Sequence, residues 1–262
     1  MWGHMVGWKS DRDQWLSESF AEYSALMFIE IALKEKKLFY EALSVYTEMV
    51  TGSIKSFLSN FSRPILTMYT TLNKKDRNKV GPVGIGARAS TSDVPMAYVL
   101  QNYHKGPLVI HMLRMRMRNA TGSDKAFREL MSDYLKSYSG KNPSTDDFRK
   151  MVEKHTRSNW KWFFNQWIHD NDIPTYTWNY SVGKKQNGKY PVTFKIRQAD
   201  VPENFVMPVP VRVIFKGNKM RQFNMPVKKR EQNFTLNLPM KPKKVVFNPD
   251  FSVLARVKQK SF

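Results

Sequence analysis

The chain has 262 residues, with 43 Lys and Arg against 22 Asp and Glu, a formal net charge of +21. A hydrophobic content of 41%, with 13% aromatic residues, is enough to bury a substantial core, which excludes wholesale disorder. The absence of cysteine excludes disulfides and thiolate metal sites, and no apolar run approaches the ~20 residues of a membrane-spanning helix.

The first residues are rich in tryptophan (Trp2, Trp8, Trp15) and do not read as a signal peptide. From about Asp11 the pattern is helical, and residues 11–36 form one helix that ends in the charged run Lys34-Glu35-Lys36-Lys37. Leu16, Phe20, Tyr23 and Met27 define its apolar stripe. Glu18 lies off that stripe, with Glu22 and Ala25 on its own face and Ala21 close by. By periodicity alone it is a solvated glutamate beside a core face.

A second helix is expected from Phe39 to Leu58, with Val45, Met49 and Ile54 among its apolar positions. Residues 60–92, with Pro64, Gly81, Gly84 and Gly86, read as a long loop. Asp93 then caps a helix to about Arg118, with Pro95 in its first turn. Inside it, the Gly106-Pro107 pair costs helix stability, so it implies a kink or a close backbone approach. His111, Met112 and Met115 on that helix read as structural.

A helix from Asp124 to Tyr138 follows Gly122-Ser123, and Ser144-Thr145-Asp146-Asp147 carries a capping-box signal for the next. An apolar helix around Trp160, Phe163, Phe164 and Trp167 stops at Asn171-Asp172-Ile173-Pro174.

After Pro174 the apolar period changes to two. Tyr176/Trp178/Tyr180, Val192/Phe194/Ile196, Val209/Val211/Val213/Phe215, Phe234/Leu236/Leu238 and Phe251/Val253/Ala255 alternate with polar residues, separated by turn signals. About seven short strands at this spacing predict an antiparallel β-sandwich. The fold class is therefore α+β, with a helical part over 1–173 and a sandwich over 174–262. The second part holds 18 Lys and Arg against 4 Asp and Glu, the first 25 against 18. Such a field suits an acidic partner, an anionic surface or nucleic acid. The lysines, however, run along strands without base-stacking aromatics, which argues for a solvated surface and against nucleic acid.

The string WGHMVGWKSDRDQWLSESFAEY resembles the segment that follows the zinc-binding HExxH of the aminopeptidase N and leukotriene A4 hydrolase type of zinc aminopeptidases, which are gluzincins. Trp2-Gly3, Trp15-Leu16 and Ser17-Glu18-Ser19-Phe20-Ala21 match that pattern, with serines in place of the usual asparagine and glycine. Tyr103-His104-Lys105-Gly106 resembles the family's Tyr-x-Lys-Gly motif. Phe163-Phe164-Asn165-Gln166-Trp167 followed by Pro174 resembles its hand-over to a β-sandwich.

The resemblance implies the helical lower lobe of a thermolysin-like catalytic domain, followed by the sandwich. It implies Glu18 as a zinc ligand and Tyr103 as the donor to the tetrahedral oxyanion. His4, Glu22, His104 and Lys105 are its further candidates for a place around the metal or along the cleft. It also implies that Met1 stands just after the second zinc histidine. The 262 residues contain no HExxH, and the five histidines include no i, i+4 pair. One zinc ligand of three is present and the base is absent.

The expectation is a peptide hydrolase that is inactive as this chain alone, needing an N-terminal region or a second chain that carries HExxH. The alternative is a non-catalytic binding module whose basic sandwich docks an acidic partner or nucleic acid.

Overall fold

The computed structural model describes residues 2–52 and 80–260, in two compact units, Met1–Asn171 and Asp172–Phe262. In the first unit, a 3-10 turn at Asp11–Asp13 leads into α1, Trp15–Ile31. No side chain caps α1. Its start is fixed from outside: buried Asp13 accepts the Thr145 N–H at 2.7 Å, and the Trp15 indole N–H donates to the Thr145 hydroxyl at 3.0 Å. Of the expected stripe, Leu16, Phe20 and Tyr23 are buried and Met27 is half-buried. Phe20 packs edge-on against Phe148 at 4.9 Å and Trp2 at 5.0 Å.

Helix α2, Lys36–Thr51, ends on Gly52 at φ 74°, a left-handed cap that glycine adopts without strain. The expected end of this helix at Leu58, with Ile54, and the loop residues 60–79 lie outside the described residues. Within the rest of that loop, Val83–Ala89 forms 3-10 turns broken at Gly86, where φ is 63°. A Cβ there would collide with the Asp11 carbonyl, its carbon 2.8 Å away, so glycine is needed both for the turn and for the approach.

The helix expected from Asp93 begins later, with the single turn α3, Ala97–Val99, and no side-chain cap. It passes through a π-helical stretch, Leu100–Lys105, into α4, Gly106–Thr121. Pro107 therefore sits in the first turn of α4, where its missing N–H costs nothing. The expected close approach is real: a Cβ on Gly106 would overlap Ser19, whose own Cβ would be 2.6 Å away.

Below this, α4 carries a buried ionic network. Arg114 donates to Glu30 and to Asp124, both at 2.6 Å, and to the Tyr23 hydroxyl at 3.3 Å. Tyr23 in turn meets His111 Nδ1 at 2.9 Å. His111 is structural, as expected.

Helices α5, Lys125–Tyr138, and α6, Thr145–Thr156, follow. The capping box forms on α6: Asp147 N–H donates to the Ser144 hydroxyl at 3.2 Å, and Ser144 N–H donates to the Asp147 carboxylate at 2.9 Å. The last helix is short, α7 at Lys161–Phe164 with a π-helical extension to His169. Among the described residues no helix is long and apolar enough to cross a membrane.

The second unit holds seven strands: β1 Thr175–Val182, β2 Tyr190–Ala199, β3 Met207–Ile214, β4 Met220–Val227, β5 Glu231–Leu238, β6 Lys244–Phe247 and β7 Arg256–Gln259. They form a four-stranded sheet in the order β5-β2-β1-β7 and a three-stranded sheet in the order β4-β3-β6. The apolar face of β2 (Val192, Phe194, Ile196) and that of β3 (Val209, Val211, Val213) are fully buried. Trp178 of β1 stacks on Phe247 of β6 at 5.1 Å, joining the two sheets in one core.

The predicted strand at Phe251/Val253/Ala255 is corrected. Residues Ser252 to Ala255 are all buried in succession, which an alternating strand does not do. They follow a 3-10 turn at Pro249–Phe251 and fill one end of the core. The strand is β7 just beyond, and it pairs with β1 in parallel, whereas the other pairings among these seven strands are antiparallel.

Candidate active site

Glu18 stands half-buried in the first turn of α1. The small, buried Ser17 and Ser19 on either side of it let neighbouring backbone come close. The Ser19 hydroxyl donates to the Asn102 carbonyl at 2.7 Å. In a π-helical stretch the carbonyls are displaced from their ordinary i→i+4 partners, and Ser19 pins one of them to α1. This seam brings Tyr103 beside the carboxylate, close enough for Glu18 to act on the phenol.

Burial first, and the Glu18 carboxylate second, push the Tyr103 phenol well above its ordinary value of 10.0. It is therefore a neutral donor at physiological pH. Tyr98 packs on Tyr103 in turn, their rings edge to face at 6.0 Å. Residues five apart point to different sides of an α-helix. The i→i+5 turn over Leu100–Lys105 is what puts these two phenols together.

Glu22, one turn along α1, accepts the Tyr46 hydroxyl at 2.8 Å. The Tyr46 ring lies flat on His104, with centroids 4.9 Å apart and planes 4° from parallel. Burial lowers the His104 pKa to about 4, so the imidazole is neutral at pH 7. Glu18, Glu22, Tyr103 and His104 thus share one wall, made of α1, α2 and the π-helical stretch.

The remaining two candidates are His4 and Lys105. His4 is exposed in the turn between Trp2 and Val6. Lys105 is fully buried, and its ammonium donates to the Asp170 carbonyl and the Asn171 side chain, both at 3.2 Å. Residues adjacent in a helix project to different sides, which separates Lys105 from Tyr103.

Tyr46 and Tyr98 were not legible as site residues. Tyr98 had one signal, its five-residue spacing from Tyr103, which carries meaning only once the π-turn is known. Tyr46 had none, because only the packing of α2 brings it in.

Among the described residues no group of three His, Cys, Asp or Glu could hold a metal ion. The Glu18 carboxylate is a suitable donor for zinc, but by itself it is not a site. What the wall offers is a carboxylate ready to bind a cation, beside a neutral phenol able to donate to developing negative charge.

The model of the peptidase family M1 domain matches residues 1–167. Among solved structures, the crystal structure of Legionella pneumophila aminopeptidase A in complex with aspartic acid superposes with a TM-score of 0.61 at 14% identity. That match covers 98% of this chain and 25% of the other, so the chain spans about a quarter of that structure's length. An identity this low speaks for the fold alone. A search of curated protein sequences finds no match.

Proposed function

Since the chain belongs to peptidase family M1, we propose that it is the C-terminal portion of a zinc-dependent aminopeptidase that hydrolyses N-terminal peptide bonds. The observation that carries this reading is the placement of Tyr103 beside the Glu18 carboxylate, on a seam pinned by the Ser19 hydroxyl and the Asn102 carbonyl.

Zinc in such an enzyme needs three protein ligands and an open position. This chain offers the Glu18 carboxylate. The two histidines and the general base then lie on polypeptide other than these residues, upstream of them or on a second chain. This chain alone is inactive in that reading.

The part played by these residues follows from their chemistry. Ser19 and Gly106 set the spacing of the seam, and with it how near Tyr103 stands to Glu18. Tyr103 keeps its proton because burial and a carboxylate disfavour the phenolate. It is thus a donor for the oxygen of a peptide carbonyl as that oxygen gains charge, the interaction that lowers the barrier. Glu22 is held by Tyr46, which is braced by the uncharged His104, so the wall beside Glu18 is fixed before a peptide arrives.

The test is hydrolysis of an alanine or leucine arylamide by the native full-length protein and its Glu18→Gln variant. Chelator-sensitive hydrolysis that disappears with bound zinc in the variant is the expected result. Unchanged zinc content and rate in Glu18→Gln would sink the proposal.

A second reading has an observation of its own. Lys216, Lys219, Arg221, Lys241, Lys243 and Lys244 are all exposed at the end of the three-stranded sheet where Ile214 pairs with Met220 and Lys244. As a non-catalytic module, the second unit would dock an acidic partner there. The signature would be association that weakens steeply between about 50 and 200 mM salt.

A further inference from the structure

Near the end of α4 lies a cavity of about 190 Å³ whose wall includes Arg116, Trp160, Trp162, Thr156, Ser158 and Asn159. The Arg116 guanidinium is 5.3 Å from the ring centroid of each indole. The indoles themselves are nearly parallel, 6.4 Å apart and 16° from coplanar orientation. Arg116 forms no ion pair with any described residue, and its Nε is sealed from water without an acceptor.

Two acids reach residues of this wall. Asp133 is 3.2 Å from His155. Glu153 accepts the Trp160 N–H at 2.8 Å and pairs with Arg149. A guanidinium cannot shed its charge at physiological pH. Two indole faces offset part of the cost of burying it, but they accept no N–H.

We propose that this cavity binds a carboxylate, taken by Arg116 through paired N–H donors, with the Asn159 amide N–H and the Ser158 hydroxyl completing its hydrogen bonds. Carboxylate and guanidinium match in planar geometry, and such pairs are the strong charge-assisted ones. The site is separate from the Glu18 wall and does not depend on the peptidase reading. Met117, Ala120 and Ala126 give it an apolar side, which suits a carboxylate carried on an organic body.

The experiment titrates this protein with acetyl-Gly-Glu-Gly-amide, which presents a side-chain carboxylate, and with acetyl-Gly-Gly-Phe, which presents a terminal one. Acetyl-Gly-Gln-Gly-amide and inorganic phosphate serve as controls. Binding is read by calorimetry and by the indole N–H resonances of Trp160 and Trp162.

One of the two carboxylate peptides should bind and shift both indole signals, and the tighter arm identifies the source. The glutamine peptide should bind at least tenfold more weakly than its glutamate counterpart. Arg116→Gln should lose at least tenfold in affinity, and Arg116→Lys, which keeps the charge and serves as the folding control, should lose less. The proposal is overturned by no binding at 10 mM of either carboxylate peptide, by equal binding of the glutamine peptide, by preference for phosphate, or by unchanged affinity in a folded Arg116→Gln.

Discussion

Ser19 and Gly106 meet where α1 packs tightly against the start of α4. The Ser19 hydroxyl bonds the Asn102 carbonyl at 2.7 Å, and there is no room for a Cβ on residue 106. A hydroxyl could rotate away from an added methyl, but the Ser19 Cβ, 2.6 Å from it, cannot. The two residues therefore set how near Tyr103 comes to Glu18.

Gly106→Ala should destabilise the first unit by about 1–3 kcal/mol, the usual range for overpacking. Combining it with Ser19→Gly should restore part of the loss despite the missing hydrogen bond. Thermal melts of the two single variants and the double variant measure this, and a double variant no better than the sum of its parts would refute the steric account.

Tyr103→Phe, made in the full-length protein, should lower kcat by roughly 10²–10³ with KM little changed, the size of effect seen when one oxyanion donor is removed. Tyr98→Phe leaves the Tyr103 donor in place and should cost much less. Steady-state kinetics on an alanine arylamide separates the two. Equal losses would show that the phenols act as one unit.

His104 gives a pH dependence whose sign is fixed. Burial depresses its pKa to about 4 in the folded chain, against about 6.5 when unfolded. The unfolded chain then binds more protons between those values, so stability falls as pH drops from 6.5 toward 4. At 1.36 kcal/mol per unit, the full loss is about 3 kcal/mol. Denaturant melts at pH 7 and pH 4.5 should show this slope, and His104→Phe should flatten it.

Arg114 is buried between Glu30 and Asp124. Breaking such a pair on one side costs about 3–5 kcal/mol, so Arg114→Met should unfold at markedly lower denaturant concentration. Burial alone would raise the Asp124 pKa, but the Arg114 hydrogen bond and charge outweigh it and hold the carboxyl below 3.8. A depressed carboxyl contributes stability above its unfolded value and loses it as pH falls through the folded one. Acid unfolding of the native chain below about pH 4 therefore draws on this group, and Arg114→Met should move that transition to higher pH.

Ser144→Ala removes one half of the α6 capping box and should cost about 1 kcal/mol. Its companion Asp147 is held below the usual carboxylate range, first by the Ser144 backbone N–H and then by its hydroxyl. Chemical denaturation at neutral pH measures the loss.

Much of this protein was legible in its sequence because the relevant forces are local or periodic. The stripe Leu16, Phe20, Tyr23 fixes which side of α1 is buried, since a helix repeats every 3.6 residues. Ser144 and Asp147 announce a helix start because their bond spans three residues. The alternation in β2 and β3 announces a sheet buried on one face. The motifs around Glu18 and Tyr103 pointed to a peptidase family, and the first 167 residues match its model.

Tertiary structure decided what spacing does not encode. A π-turn begins where packing stabilises it, so nothing local predicted that Tyr98 would join Tyr103, or that Lys105 would turn to Asp170 and Asn171. Tyr46 reached Glu22 across 24 residues of chain through the docking of α2. The last strand moved from Phe251–Ala255 to Arg256–Gln259 because four consecutive apolar or small residues were worth more as a core plug than as a pleat. Local patterns choose the elements because their interactions close within a turn or a strand. The site is set by contacts between distant residues, whose free energies exist only once the elements have packed.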